Sequence, residues 1–153
     1  MDVTSDLIVR PAAGQDLPSL LELYREFDQA YDPLSDEGGV DYRSLWLQVA
    51  ADPRQQVLAA VGGGVLLGSA TVVIVPNLGH HGRPWAAVEN VVVRRDCRGR
   101  GVGTALLTEA GRIARSHGCY KLALTTNLQR RQAHAFYRHL GWQQTHAGFS
   151  LLL

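Results

Sequence analysis

The spacing of apolar positions changes along the first third of the chain. Residues 7–10 form a short apolar run that predicts a strand ending at Pro11. Over residues 17–27 apolar side chains recur every three or four positions, which predicts an amphipathic helix. The polar segment 28–39 contains Pro and Gly and predicts a loop, and a second helix is predicted over 42–51.

From residue 56 the pattern becomes that of strands. Two runs rich in β-branched residues, 56–61 and 65–75, are separated by three glycines, which predicts a tight hairpin with positive φ in its turn. A loop is predicted over 76–84. Residues 86–93 then predict a strand, and the three successive valines at its end indicate burial on both faces.

A long helix is predicted over residues 101–117. Its apolar residues form one stripe: Val102, Leu106, Ala110 and Ile113. Gly118 is placed to end the helix in a left-handed conformation. Gly111 lies inside the helix, where glycine is unfavourable, and this favours close packing at that position.

The remaining elements complete an α/β pattern. A strand is predicted over 120–126, a helix over 131–140 with Gly141 as its stop, and a last strand over 149–153. The order of elements predicts a mixed sheet flanked by helices. Its first part is antiparallel, and two later strands form a parallel pair around the helix at 101–117.

The composition is that of an ordinary globular domain of 153 residues. Hydrophobic residues make up 46% and charged residues 19%, which argues against disorder and against a coiled coil. No apolar run approaches the ~20 residues that span a bilayer. The first six residues lack the basic and apolar regions of a signal peptide. We therefore expect a cytoplasmic protein without a membrane segment.

Metal binding is not expected. Cys97 and Cys119 are too few for a disulfide framework or a zinc site, and each is expected to behave as a small buried hydrophobe. The adjacent His80 and His81 have no third ligand at a suitable spacing.

The stretch most indicative of a binding site follows the predicted strand 86–93. Between Arg94 and Thr104, four arginines and three glycines lead into the predicted helix. The first N–H groups of a helix lack internal partners, and glycines let a ligand approach the backbone, so this stretch predicts a phosphate cradle. It contains neither the Gly-Lys-Ser/Thr of a P-loop nor the glycine spacing of a dinucleotide site. A Gly-rich helix entry with surface arginines is the alternative interpretation.

The residues Arg98-Gly99-Arg100-Gly101-Val102-Gly103 resemble the acyl-CoA pyrophosphate loop of the GNAT superfamily of N-acetyltransferases. The resemblance covers about residues 86–142, including the strand 88–93, Asn127 and the segment 135–142. It implies one N-acetyltransferase domain over 1–153. It also implies a mostly antiparallel sheet with a splayed parallel strand pair, and acetyl-CoA as the cosubstrate.

The resemblance also assigns residues to the cosubstrate. The strand backbone at Val91, Val92 and Val93 is implied to pair with the pantetheine arm, and Asn127 to lie near the thiol. At a bulge in the strand, the N–H group of Val91 is implied to stabilise the oxyanion. The pyrophosphate is implied to bind the loop and the first helical turn: Arg98, Gly99, Arg100, Gly101, Val102, Gly103 and Thr104.

Two side chains are implied to move protons. An ammonium acceptor must lose a proton before it attacks the thioester, and Glu89 matches a family carboxylate that often acts through water. Tyr137 matches the family tyrosine that protonates the departing thiolate. Glu89 could instead pair with an arginine or bind substrate. Tyr137 could instead be a core aromatic, because it and Phe136 are adjacent on a helix.

The acceptor is expected to be a primary amine of a small molecule or peptide. The first 60 residues carry eleven acidic and four basic side chains, partly where the family recognises its acceptor, and this favours a cationic amine. The acidic residues concerned are Asp28, Asp32, Asp36, Glu37 and Asp41. Residues 88–93, 97–99 and 119–121 are also similar to glucosamine-phosphate N-acetyltransferases. The sugar-phosphate site of those enzymes has no match here, so their substrate is not carried over.

Two other classes of protein are alternatives to the enzyme. A non-catalytic acyl-CoA-binding or sensing domain would keep the loop without needing Glu89 or Tyr137. Nucleic-acid binding through the loop arginines is disfavoured, because the stretch lacks interleaved aromatic residues and the pI is about 7.9. Homodimers are common in the family and are a candidate assembly, although no apolar patch in the sequence argues for one.

Overall fold

The computed structural model describes residues 4, 6–31, 39–151 and 153, with the side chains of all of these except 28–31. The chain divides into two compact units, Met1–Ala123 and Leu124–Leu153. Across the described residues, no helix is both long enough and apolar enough to cross a membrane.

A five-stranded sheet forms the centre of the first unit. Its strands are β1 (Ile8–Pro11), β2 (Gln55–Gly62), β3 (Val65–Val75), β4 (Trp85–Val93) and β5 (Leu122–Ala123). They lie side by side in chain order and are antiparallel, except for the parallel pair β4–β5. The predicted mixed sheet is therefore confirmed. The β2–β3 hairpin has positive φ at Gly63 and Gly64, as its glycines predict.

The predicted helices are also confirmed. The first unit contains α1 (Leu17–Tyr31), α2 (Tyr42–Ala51) and α3 (Val102–Ser116), and the second contains α4 (Arg131–His139). Helix α1 continues beyond the predicted 17–27, so the start of the predicted loop 28–39 is helical. Residues 32–38 of that loop lie outside the described residues. Gly118 has a φ of +69° after the end of α3, as predicted.

Helices α1 and α3 pack on opposite faces of the sheet. Gly68 and Ser69 are neighbours in β3, so their side-chain directions point to opposite faces. Ser69 contacts Tyr24 of α1, whereas a Cβ on Gly68 would meet Val102 and Leu106 of α3. The predicted apolar stripe of α3 is buried against the sheet.

Three sequence predictions are wrong in detail. The strand predicted over 120–126 is reduced to Leu122–Ala123. No strand forms over residues 149–151 and 153, where Phe149 is 99% exposed. A strand needs a partner, and the described residues of the second unit contain none. The close packing expected at Gly111 is absent, because a Cβ there would meet only the Arg115 guanidinium at 3.4 Å.

Candidate active site

A β-bulge interrupts strand β4. Its register with β3 shifts between Ser69 and Thr71, so that Ala70 faces two residues, Asn90 and Val91. Asn90 has a φ of +51°, a left-handed conformation that Asn adopts more readily than most other residues. The bulge therefore turns the backbone at the position that the resemblance assigns to the oxyanion donor.

Beyond its first residues, β4 has an open edge. It pairs with β5 only at Ala86 and Ala87. Within the described part of the first unit, the remaining stretch of β4, residues 88–93, has no strand partner on that side. An open strand edge presents main-chain N–H and C=O groups that can pair with an extended ligand.

The loop after β4 leaves several amide groups open. The first helical hydrogen bond of α3 joins the Ala105 N–H to the Gly101 carbonyl at 2.9 Å. The N–H groups of Val102, Gly103 and Thr104 precede this bond and have no backbone acceptor among the described residues. They form the electropositive end of a 15-residue helix, where an anion is stabilised.

Glycines shape this end of the helix. Gly99 has a φ of +74° and Gly101 a φ of +84°, conformations that strain any residue with a Cβ. A Cβ placed on either glycine would meet no atom within 4 Å. Open space therefore adjoins the backbone on the side where a Cβ would project, as a ligand approaching the amides requires.

Three of the loop arginines have contacts within the protein. Arg94 pairs with Asp96 at 2.5 Å, and Arg95 lies 3.1 Å from Glu26 of α1. The Arg98 guanidinium donates to the Val93 carbonyl at 3.1 Å. The Arg98 N–H donates to the Arg95 carbonyl at 3.4 Å, so it is not one of the open amides. The open groups at this end of α3 are therefore the main-chain amides of Val102, Gly103 and Thr104.

Glu89 lies on the α1 face of the sheet beside the bulge. It pairs across the ladder with Thr71, whose side chain contacts Tyr24 of α1. Glu89 is exposed, yet the protein around it removes enough water to raise the pKa of its carboxyl above the usual range. An exposed carboxylate with a raised pKa is a stronger base than an ordinary one.

The second unit holds the two other predicted site residues. The Asn127 side chain accepts a hydrogen bond from the Gln129 N–H at 2.8 Å, which stabilises the turn before α4. Tyr137 is only 8% exposed and packs against the rings of Phe136 and Trp142. Burial raises the pKa of its hydroxyl, so Tyr137 is protonated at neutral pH.

A cavity of about 190 Å³ adjoins the bulge in the first unit. It is lined by residues of α1, β4 and the start of α2: Leu21, Tyr24, Arg25, Phe27, Tyr42, Asn90 and Val92. Apart from Val92, none of these residues was predicted from the sequence to belong to the site. The apolar period of α1 indicates a buried face, but it does not show that part of this face borders a cavity.

Another cavity, of about 380 Å³, lies beside the start of β2 and contains no residue of β4 or of the loop. Its charged lining residues Asp52 and Arg54 pair with each other at 3.1 Å. It is therefore not part of the candidate site.

The predicted attraction of a cationic amine has little support in the described residues. Asp41 caps helix α2, where its carboxylate accepts hydrogen bonds from the Ser44 hydroxyl and from two backbone N–H groups. Asp32, Asp36 and Glu37 lie outside the described residues, as does the side chain of Asp28.

The described residues contain no cluster of three or more His, Cys, Asp or Glu side chains that could hold a metal ion. Cys97 is 1% exposed, and burial raises the pKa of its thiol, in agreement with its predicted role as a small buried side chain. Cys119 is only half-buried.

Comparison with known proteins places these features in a family. Residues 18–142 match the acetyltransferase (GNAT) family. The chain is 34% identical over 144 residues to glucosamine 6-phosphate N-acetyltransferase of Trypanosoma brucei brucei, covering 90% of each protein. It is 32% identical over 117 residues to aminoalkylphosphonate N-acetyltransferase of Salmonella typhimurium, covering 74% of this chain and 75% of the relative.

A solved structure gives the same assignment. The crystal structure of a Trypanosoma brucei acetyltransferase superposes with a TM-score of 0.80 and is 31% identical, covering 97% of this chain and 100% of the other. The chain therefore belongs to the GNAT family and is an acetyl-CoA-dependent N-acetyltransferase.

Proposed function

We propose that this enzyme acetylates the primary amine of a small molecule, with the bulge of β4 as its reaction centre. The proposal depends on one observation: three features suited to bind acetyl-CoA lie along one continuous stretch of the first unit. The open edge of β4, the bulge and the open amides at the start of α3 follow one another along residues 88–104.

The described residues fit the cosubstrate. The amides of Val102, Gly103 and Thr104 would hold its pyrophosphate, and the edge of β4 from Val91 to Val93 would pair with its pantetheine arm. When bound, acetyl-CoA supplies an acetyl group that is activated as a thioester.

The chain's own groups would then supply three functions. The Val91 N–H at the bulge would donate a hydrogen bond to the carbonyl oxygen of the acetyl group, a contribution of about 3–4 kcal/mol for one preorganised donor. The Glu89 carboxylate would take a proton from the ammonium acceptor through water. The Tyr137 hydroxyl would give a proton to the departing thiolate, and burial keeps it protonated for that step.

The acceptor class rests on the two named relatives. One is named for glucosamine 6-phosphate and the other for aminoalkylphosphonates, and both compounds are small amines that carry a phosphorus oxyanion. Both relatives are more than 30% identical to this chain. We therefore favour a small amine with a phosphate or phosphonate group over a polyamine, an aminoglycoside or a peptide.

The test is release of free thiol from acetyl-CoA with a panel of amines. The panel contains glucosamine 6-phosphate, 2-aminoethylphosphonate, a polyamine, an aminoglycoside and a short peptide, with an amine-free reaction as the control for hydrolysis. We expect turnover above the control with the two phosphorus-containing amines. Tight CoA binding by calorimetry without turnover of any of these amines would overturn the proposed acceptor class.

A further inference from the structure

We propose that Arg25 recognises an anionic group of the acceptor in the cavity beside the bulge. The proposal rests on the proposed function, because it assigns that cavity to the acceptor. It adds a residue that selects the substrate and a chemical class of ligand: amines that carry a phosphate, phosphonate or carboxylate group.

The position of the cavity fits an acceptor site. Asn90 and Val92, which line it, are the immediate neighbours of Val91, whose N–H is the proposed oxyanion donor. A volume of about 190 Å³ equals that of roughly six water molecules, at ~30 Å³ each. A small amine fits this space, and its nitrogen would then lie close to the bulge.

The described lining has one kind of charge. Arg25 is the charged side chain among the described residues of the cavity, and the others are aliphatic, aromatic or an amide. Tyr24, Phe27 and Tyr42 provide aromatic surface for the carbon skeleton of a ligand. A second cationic group on the ligand would be repelled by Arg25, whereas an anionic group would be attracted.

Within the described residues, the Arg25 guanidinium is open to a ligand. Among the described residues, its guanidinium forms no ion pair or hydrogen bond, whereas Arg94 pairs with Asp96 and Arg95 lies beside Glu26. A guanidinium presents two parallel N–H donors that match the oxygen atoms of phosphate, phosphonate or carboxylate. A guanidinium at the wall of a cavity next to the proposed reaction centre, with no partner among the described side chains, is therefore suited to orient an anionic amine.

The experiment uses three amines of similar size: 2-aminoethylphosphonate, β-alanine and propylamine, which has no anionic group. Wild type, Arg25→Gln and Arg25→Lys are compared. The control Arg115→Gln removes an exposed arginine near the end of α3, outside the cavity. Steady-state turnover is measured for each amine, and calorimetry measures the binding of 2-aminoethylphosphonate in the presence of CoA.

Loss of a charge-assisted hydrogen bond should lower kcat/KM of Arg25→Gln for 2-aminoethylphosphonate by about 10- to 100-fold, mainly through KM. Propylamine turnover and the KM for acetyl-CoA should change less than about twofold. For 2-aminoethylphosphonate, kcat/KM of Arg25→Lys should lie between the values of wild type and Arg25→Gln, because lysine keeps the charge but loses the paired donors. A parallel loss with β-alanine assigns general oxyanion recognition, and a loss confined to the phosphonate assigns a phosphorus oxyanion.

Equal effects of Arg25→Gln on all three amines, or no effect, would overturn the proposal and leave the proposed function intact. Failure of every amine to react, with CoA still bound, would overturn the proposed function. In that case calorimetry still decides about the site. If wild type binds 2-aminoethylphosphonate and Arg25→Gln does not, the proposed role of Arg25 is supported. If wild type does not bind it, that role is overturned.

Discussion

The hydroxyl groups of Tyr24 and Ser69 lie 3.2 Å apart and join helix α1 to strand β3 beside the bulge. Ser69 is fully buried, and its single hydroxyl proton goes to the Leu58 carbonyl at 2.9 Å, so Tyr24 is the donor in the pair. The contact fixes α1, which lines the cavity beside the bulge, against strand β3.

Replacing Ser69 with Ala should destabilise the protein by about 1–3 kcal/mol, because the Tyr24 hydroxyl and the Leu58 carbonyl each lose a buried partner. Urea unfolding with an unchanged m-value would measure the loss. Ser116→Ala at the exposed end of α3 is the control, with an expected effect within about 0.5 kcal/mol. Equal stabilities of the Ser69 and Ser116 variants would mean that the buried hydroxyl contributes nothing net.

Gly101→Ala should weaken CoA binding by about tenfold or more, because its Cβ would project into the open space beside the amides. Gly118→Ala is a matched control, since Gly118 follows the other end of α3, has a φ of +69° and also faces open space. Both changes should cost about 1–2 kcal/mol of stability through backbone strain. Calorimetry with CoA should show weaker binding for Gly101→Ala only and not for Gly118→Ala. Unaltered affinity in Gly101→Ala would contradict binding of the pyrophosphate by the amides at the start of α3.

Tyr137→Phe should lower kcat by about 10- to 100-fold, because no hydroxyl would protonate the departing thiolate. The affinity for CoA should change little. Tyr120→Phe is the control, since its ring can still stack on His80 at a centroid distance of 4.1 Å. A wild-type rate for Tyr137→Phe across the pH range would remove the proposed acid and leave only a packing role.

Glu89→Gln should remove the acidic limb of the pH profile of kcat/KM. A base acts in its ionised form, and the pKa of Glu89 is raised by loss of water. Activity of the wild type should therefore fall as the pH drops through this raised value, above the range of an ordinary glutamate. Glu109→Gln is the control, because Arg112 lowers the pKa of Glu109 and that residue lies on α3. If the acidic limb persists in Glu89→Gln, another group takes the proton from the acceptor.

Gly111→Ala should stabilise the protein by about 0.5–1 kcal/mol, because glycine is unfavourable inside a helix and the new Cβ would touch only a flexible arginine end. Gly68→Ala should do the opposite. Its Cβ would lie 2.8 Å from the Val92 carbonyl and close to two side chains of α3, a clash that costs about 1–3 kcal/mol. Thermal unfolding should show a stabilised Gly111→Ala and a destabilised Gly68→Ala. A destabilised Gly111→Ala would mean that position 111 is closely packed after all.

Local patterns in the sequence were enough to predict the elements that depend on local forces. The period of apolar residues located helices α1 to α4, and glycines placed the hairpin turn and the end of α3, because these features depend on spacing and on backbone sterics. The glycines and arginines between Arg94 and Thr104 predicted that open main-chain amides would lie at the start of α3. The family resemblance added the bulge, which no local pattern marks.

Contacts between distant residues could be found only in three dimensions. The apolar period of α1 does not show that Tyr24 and Arg25 line a cavity next to Asn90, more than 60 positions away. The apolar residues at 149–153 predict a strand, but a strand forms only when a partner supplies hydrogen bonds. The sequence by itself thus determined the helices, the turns and the glycine-rich start of α3 with its open amides. Only the tertiary structure decided which side chains surround the cavity beside the bulge, because their proximity depends on packing of α1 against the sheet.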